Sequence, residues 1–178
     1  MIIQIGKSTL EILKGDITTQ QVEAVVNAAN PQLTPGGGVS GAIHRAAGKE
    51  LWEECKKLGG CRPGEAKITK GYRLAKYVIH TVGPIYTGRQ EDEMILAECY
   101  RNSLKIAVEH GVKSIAFPAI STGIYGYPVE EAAKISLETI LSFLKQGYEM
   151  EVRIVLYDDK TYLTFLRVAE ELKKFLKQ

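Results

Sequence analysis

Short continuous apolar runs, each closed by a polar or glycine-rich turn and followed by a longer stretch of helical spacing, recur along this chain and limit what it can fold into. Ala24-Val25-Val26 stops at Asn27-Ala28-Ala29-Asn30-Pro31, and Tyr77 to Val82, Ser114 to Phe117 and Val152 to Leu156 repeat the pattern. Runs of this kind are strands covered on both faces. Residues 2–5 and 9–14 instead alternate apolar and polar, as strands with one covered face do, and read as sheet-edge strands. Helical spacing fills Gly41 to Leu58, Asp92 to His110, Pro128 to Gln146 and Lys160 to Leu176, with Gly111 and Gly147 placed as left-handed C-caps. Thr87 to Glu93 reads as a polar loop. Strands alternating with helices of this length predict an α/β sandwich, largely parallel in its centre. At 178 residues the expectation is one domain spanning 1–178.

Composition excludes several function classes. With 45% hydrophobic and 25% charged residues, the chain is neither disordered nor built for a bilayer, and no apolar run approaches the length of a membrane span. A net charge of +2 is too weak a field to capture nucleic acid, so an anionic ligand must be held locally. The three cysteines, Cys55, Cys61 and Cys99, form an odd set without CxxC spacing. That argues against a disulfide framework and fits a reducing, cytoplasmic location. Cys55 and Cys61 have no histidine at ligand spacing, so no metal is expected, and nothing in the chain calls for a cofactor.

Two glycine loops are the most informative segments. Gly36-Gly37-Gly38-Val39-Ser40-Gly41 opens a helix, and Ser121-Thr122-Gly123-Ile124-Tyr125-Gly126 lies between the strand ending at Phe117 and the helix beginning near Pro128. Glycines let successive backbone N–H groups converge, and a helix N-terminus adds positive potential, which together suit phosphate. In an open α/β sheet ligands bind beyond the carboxyl ends of the strands, so two such loops at adjacent strand ends would clamp a diphosphate from both sides. Residues 36 to 41 satisfy G-x-G-x-x-G, yet about nine residues separate them from their strand, and Glu53 and Glu54 fall inside a predicted helix. Both features disfavour a dinucleotide-binding Rossmann turn. Neither loop ends in Gly-Lys-Ser/Thr, which excludes a P-loop.

Five segments in series resemble the signature blocks of the macrodomain family: Gly15-Asp16-Ile17-Thr18, Val26 to Asn30, Gly36 to His44, Ile79 to Pro84, and Phe117 to Gly126. Gly64-Glu65-Ala66 and Ile79-His80-Thr81 look most like its MacroD-type branch. The resemblance implies a three-layer α/β/α sandwich around a mixed sheet and a cleft that holds ADP-ribose. Its partners would be ADP-ribose, ADP-ribosylated proteins or O-acyl-ADP-ribose.

By that resemblance Asp16 would accept from the adenine amino group and Ile17 would add its backbone N–H; from the residues alone, Asp16 reads first as a turn cap, and the two roles are compatible. Gly37, Gly38, Val39 and Ser40, with Ser121, Thr122, Gly123, Ile124 and Tyr125, would surround the diphosphate, Tyr125 lying against the distal ribose. Asn27 and Asn30 would turn their amides toward the distal ribose and the scissile bond, since an amide both donates and accepts. As residues they read equally as turn asparagines ending the strand. Tyr157 and Asp158 are weaker candidates for the adenine end. His44 and His80 read as packing histidines.

MacroD-type hydrolases usually carry an Asp where this chain has Ser40. A serine hydroxyl is no general base near neutral pH, and no adjacent histidine or lysine is evident to activate it as a nucleophile. A second route resembles macrodomains in which a substrate phosphate orients the water while asparagines and the glycine loop fix geometry. Two expectations follow: an ADP-ribosyl ester hydrolase or O-acetyl-ADP-ribose deacetylase in which Asn30 orients substrate and water, or a non-catalytic reader of ADP-ribose.

Overall fold

The structure, a computed structural model, describes residues 1–176. Seven strands form one sheet: β1 Ile2–Ile5, β2 Ser8–Lys14, β3 Ala24–Ala28, β4 Ala66–Lys70, β5 Tyr77–Thr81, β6 Ser114–Phe117 and β7 Glu151–Leu156, in the order β1-β2-β7-β6-β3-β5-β4. The five central strands run parallel, while β1 and β4 add antiparallel edges. Among the described residues there are five α-helices: α1 Gly38–Ala47, α2 Glu50–Cys55, α3 Gln90–Glu109, α4 Val129–Leu144 and α5 Asp159–Leu176.

Both faces of the sheet are covered, which is why the central strands are apolar at consecutive positions. Val26, Ile115, Phe117 and Ile154 join a core with Leu96 and Leu104 of α3, Leu137 and Ile140 of α4 and Phe165 of α5. Their neighbours Val25, Ala116 and Val155 point the other way, onto Ile43 of α1 and Leu51 of α2. The result is the expected three-layer α/β/α sandwich around a mixed, centrally parallel sheet.

Several boundaries differ from the sequence reading. The alternating strand 9–14 is not an edge: β2 lies between β1 and the parallel strand β7, with Leu10 and Ile12 buried and the intervening residues half-buried. Residues 41–58 do not form one helix. The chain breaks at Gly48, whose φ of +97° ends α1, and α2 continues into a 3₁₀ turn over Lys56–Leu58. Helix α3 begins at Gln90, inside the expected polar loop, because the Asp92 carboxylate receives the N–H groups of Thr87 and Gly88 at 2.7 and 3.0 Å. Strand β4 had no prediction at all. The strand reading also stopped at Val26, whereas β3 runs on through Asn27 to Ala28.

Candidate functional site

Strands β3 and β6 are parallel neighbours, Ala24 and Val25 pairing with Ile115 and Ala116, so the loops that follow them emerge side by side at the carboxyl edge of the sheet. Between them lies a cavity of about 400 Å³ lined by Asn30, Gly36 to Ser40, Gly83, and Ile120 with Ser121, Gly123, Ile124 and Tyr125. That volume is within the range of small-molecule sites.

The first loop becomes helix without an intervening turn. Gly37 is the N-cap of α1 and Gly38 its first residue, at φ +54°. The N–H groups of Gly38, Val39 and Ser40 precede any possible intrahelical acceptor, leaving them free for an anion at the positive end of the helix. Gly41 cannot carry a side chain, because a Cβ there would collide with the Gly36 carbonyl oxygen.

The second loop is built differently. It stands off from α4, which begins at Val129 behind Pro128, so its donors come from turns rather than from a helix end. Thr122 and Gly126 donate back to Ala119 and Gly123, and Tyr127 donates to Ser121, which is itself left-handed at φ +68°. The Ser121 hydroxyl donates to the Pro84 carbonyl at 2.8 Å and is thereby committed to holding the loop. A Cβ on Gly83 would meet that hydroxyl, so the β5 exit and the loop must stay this close. Thr122 turns its hydroxyl to the Ala119 carbonyl and lies outside the cavity lining, whereas Ile124 is fully exposed at the rim.

Asn30 and Asn27, paired in the sequence reading, are separated by the structure. Asn30 lines the cavity. Its Oδ1 accepts the Thr34 N–H at 3.1 Å, while its Nδ2 donates to the Thr34 hydroxyl at 2.8 Å and approaches the Thr34 carbonyl at 3.3 Å. Asn27 is 1% exposed, does not line the cavity, and faces the α1–α2 layer. The physical reason is the extra length of β3: alternation inside a strand sends Asn27 inward, to the side of Val25 and Ala29. There its Nδ2 meets His80 Nδ1 at 3.1 Å, and His80 Nε2 lies 2.9 Å from the Thr69 hydroxyl and 3.7 Å from Cys55 Sγ. An amide N–H can only donate, so His80 Nδ1 is the acceptor and Nε2 carries the hydrogen. Burial pushes the His80 pKa down to about 3, holding the ring neutral.

Ser40 brings a partial correction. His44, one turn later, shares the buried face of α1 with it, so a histidine does neighbour the serine. Yet Ser40 Oγ, both His44 ring nitrogens and Asn27 Oδ1 are buried without a hydrogen-bond partner among the described residues. Burial also lowers the His44 pKa, so the ring is uncharged at neutral pH. Cys55, Cys61 and Cys99 are buried free thiols raised by burial to about 11, which removes them as nucleophiles.

The adenine-end candidates meet at one edge. β2 and β7 are parallel with Lys14 opposite Leu156, so Asp16 and Tyr157 follow adjacent strand ends. Asp16 caps the 3₁₀ turn Ile17–Thr19, its Oδ1 accepting the Thr18 N–H at 2.8 Å and the Thr18 hydroxyl at 2.7 Å. Those bonds lower its pKa. Ile17 is buried beneath it, Tyr157 is 81% exposed, and Asp158 caps α5 through Thr161; none of the four lines the cavity. The residue that sequence reasoning missed is Thr34, which had counted only as part of the spacer before the glycines.

These features are those of a known family. The family model for the Macro domain matches residues 26–136. The ADP-ribose glycohydrolase MACROD2 of Xenopus laevis is 53% identical over 178 residues, which cover 97% of this chain and 41% of that protein. The Oceanobacillus iheyensis macrodomain with ADP superposes with a TM-score of 0.95 at 42% identity, covering 98% of this chain and 96% of the other. The Trypanosoma brucei macrodomain in complex with ADP-ribose gives a TM-score of 0.85 at 40% identity, over 90% of this chain and 68% of its own. The chain belongs to the Macro domain family. Its similarity to MACROD2 bears out the likeness to the MacroD-type branch.

Proposed function

We propose that the cleft binds ADP-ribose and that the protein hydrolyses ADP-ribosyl esters, on acidic side chains or as O-acetyl-ADP-ribose. The observation that carries this reading is the convergence of two amide-rich loops from adjacent parallel strands on one cavity, with a carboxamide, Asn30, at its wall. Main-chain donors suit a diphosphate because they are fixed and cost no side-chain entropy. The ADP-ribose and ADP complexes of the two structural neighbours, and the glycohydrolase activity in the name of the frog relative, support the same ligand.

In this reading Gly37 to Ser40 and Ser121 with Gly123 to Tyr125 cradle the diphosphate, Asp16 and Ile17 receive the adenine with Tyr157 beside them, and Asn30 holds the distal ribose and the attacking water. Among the described residues no carboxylate, histidine or lysine lines the cavity. The attacking water is therefore oriented by a substrate phosphate oxygen together with Asn30, the protein contributing position. Asn27 has no part in the cleft: it holds His80 of the neighbouring strand β5 in the buried layer and serves the fold.

The same bare lining favours a second reading, a module that recognises ADP-ribose without turnover. Incubation with mono-ADP-ribosylated protein and with O-acetyl-ADP-ribose separates the two. The hydrolase reading expects ester cleavage that falls in Asn30→Ala and rises in Ser40→Asp. Calorimetric binding of ADP-ribose beside a flat time course leaves the reader, and absence of binding sinks both.

A further inference from the structure

The amide of Asn30 does not stand free in the cleft. Thr34 N–H has only a hydrogen to offer, so the Asn30 atom opposite it must be Oδ1, and the other end of the amide then faces the Thr34 hydroxyl at 2.8 Å. These two contacts from opposite ends of the amide, with a longer third from Nδ2 to the Thr34 carbonyl at 3.3 Å, fix both its plane and its sense. The intervening turn is itself held. The Leu33 N–H donates to the Asn30 carbonyl at 3.0 Å, and Leu33 is 1% exposed at φ +61°, a left-handed conformation that a buried anchor must sustain. Thr34 also precedes Pro35, which restricts it to extended backbone and leads directly into the glycines of the phosphate loop.

We propose that Thr34 is the positioning residue of this site: its hydroxyl and N–H orient the Asn30 amide toward the distal ribose and tie that orientation to the first phosphate loop. The inference rests on the reading above, since it needs Asn30 to meet the distal ribose. Thr34 is absent from the cavity lining, so it acts through Asn30 and not on the ligand.

The test compares ADP-ribose with ADP, which lacks the distal ribose, by calorimetry on the whole protein, alongside ester hydrolysis. Thr34→Val keeps the branched shape but removes the hydroxyl. Losing one neutral hydrogen bond that orients the amide is expected to lower the ADP-ribose to ADP affinity ratio about three- to tenfold, and kcat by a similar factor. ADP affinity should stay within about twofold, since hydrogen-bond loss confined to Asn30 leaves the phosphate donors alone. Thr34→Ser, which restores the hydroxyl, should recover the ratio. In an Asn30→Ala background, Thr34→Val should add no further loss, because a residue acting through another has nothing left to act on. The proposal is overturned by a wild-type ratio in Thr34→Val, by an equal fall in ADP affinity, by failure of serine to rescue, or by additivity with Asn30→Ala. A wild-type protein that binds ADP-ribose no better than ADP removes the distal-ribose role of Asn30 itself, and this assignment with it.

Discussion

Asn27 and Asn30 are three residues apart at the end of one strand, carry the same side chain, and are put to opposite uses. Asn27 is inside β3, where alternation turns it under the sheet and its amide closes a buried chain running from Asn27 Nδ2 through His80 and the Thr69 hydroxyl to the Val78 carbonyl. Asn30 lies past the last strand residue, where the chain has left the sheet, and its amide is docked on Thr34 at the cavity wall. The difference shows that chemistry at such a strand end is assigned by where the strand stops: inside β3 alternation sends the amide under the sheet, and past Ala28 the turn aims it. Losing Asn27 should cost stability, and losing Asn30 should cost function.

The largest effect is expected at Asn30. Asn30→Ala should lower kcat/KM for ester cleavage about 100-fold, the scale of a lost positioning contact, while shifting the thermal midpoint by only a few degrees. A variant that unfolds early and cleaves normally would reverse the comparison.

Asn27→Ala should do the opposite. It leaves the His80 Nδ1 acceptor buried without a donor, a loss of about 1–3 kcal/mol, or several degrees of thermal midpoint for a chain of this size. ADP-ribose affinity of the folded protein should stay close to wild type. If calorimetry shows Asn27→Ala as deficient as Asn30→Ala at unchanged stability, both amides serve the ligand and the division fails.

What was legible in the sequence, and what was not, follows the same physics. The sandwich could be read because a strand buried on both faces must be apolar at consecutive positions, and β3, β5, β6 and β7 are. Strand β4 was invisible because an edge strand needs little apolar surface: Ala66-Lys67-Ile68-Thr69-Lys70 buries only Thr69, and lysines on an edge are what discourage unwanted pairing. The two loops were legible from their glycines. The two asparagines were not separable, because the turn-like composition of Asn27-Ala28-Ala29-Asn30-Pro31 hides a strand that continues through its first half. Thr34 was hidden for another reason: its role comes from a side-chain contact to a residue four positions back, and a spacer threonine carries no pattern that announces it.

The buried half of the comparison has a pH signature. His80 is held neutral with a pKa near 3, against about 6.5 in an unfolded chain. Below pH 6.5 the unfolded state therefore binds more protons than the folded one, so stability falls as pH falls, and the loss grows until the folded pKa is reached. Between pH 7 and pH 5 that is about 2 kcal/mol, and His44, whose pKa is also lowered, adds in the same direction. Urea midpoints at the two pH values measure it. His80→Gln keeps an acceptor for Asn27 and a donor for Thr69 but does not titrate, and should flatten the slope without altering ADP-ribose affinity measured at pH 7. An unchanged slope would mean that the titrating group lies elsewhere.

The smallest effect concerns the carboxyl ends of β2 and β7, where one carboxylate caps a turn and, in the proposed reading, also receives the adenine. Asp16 Oδ1 takes both bonds from Thr18 and leaves Oδ2 for an exocyclic amine, the role proposed for it toward adenine. Asn is nearly as good a cap as Asp, so Asp16→Asn should keep the 3₁₀ turn and most of the stability. It replaces Oδ2 with an NH₂ group, however, which would set donor against donor at the adenine amine. Hypoxanthine carries an oxygen at that position and can accept. The expected outcome is that ADP-ribose affinity falls and affinity for the hypoxanthine analogue rises, each by about three- to tenfold, the value of one hydrogen bond made or broken. Should both nucleotides weaken equally, Asp16 is only the cap of its turn, and the adenine end must be sought at another residue of the β2–β7 edge.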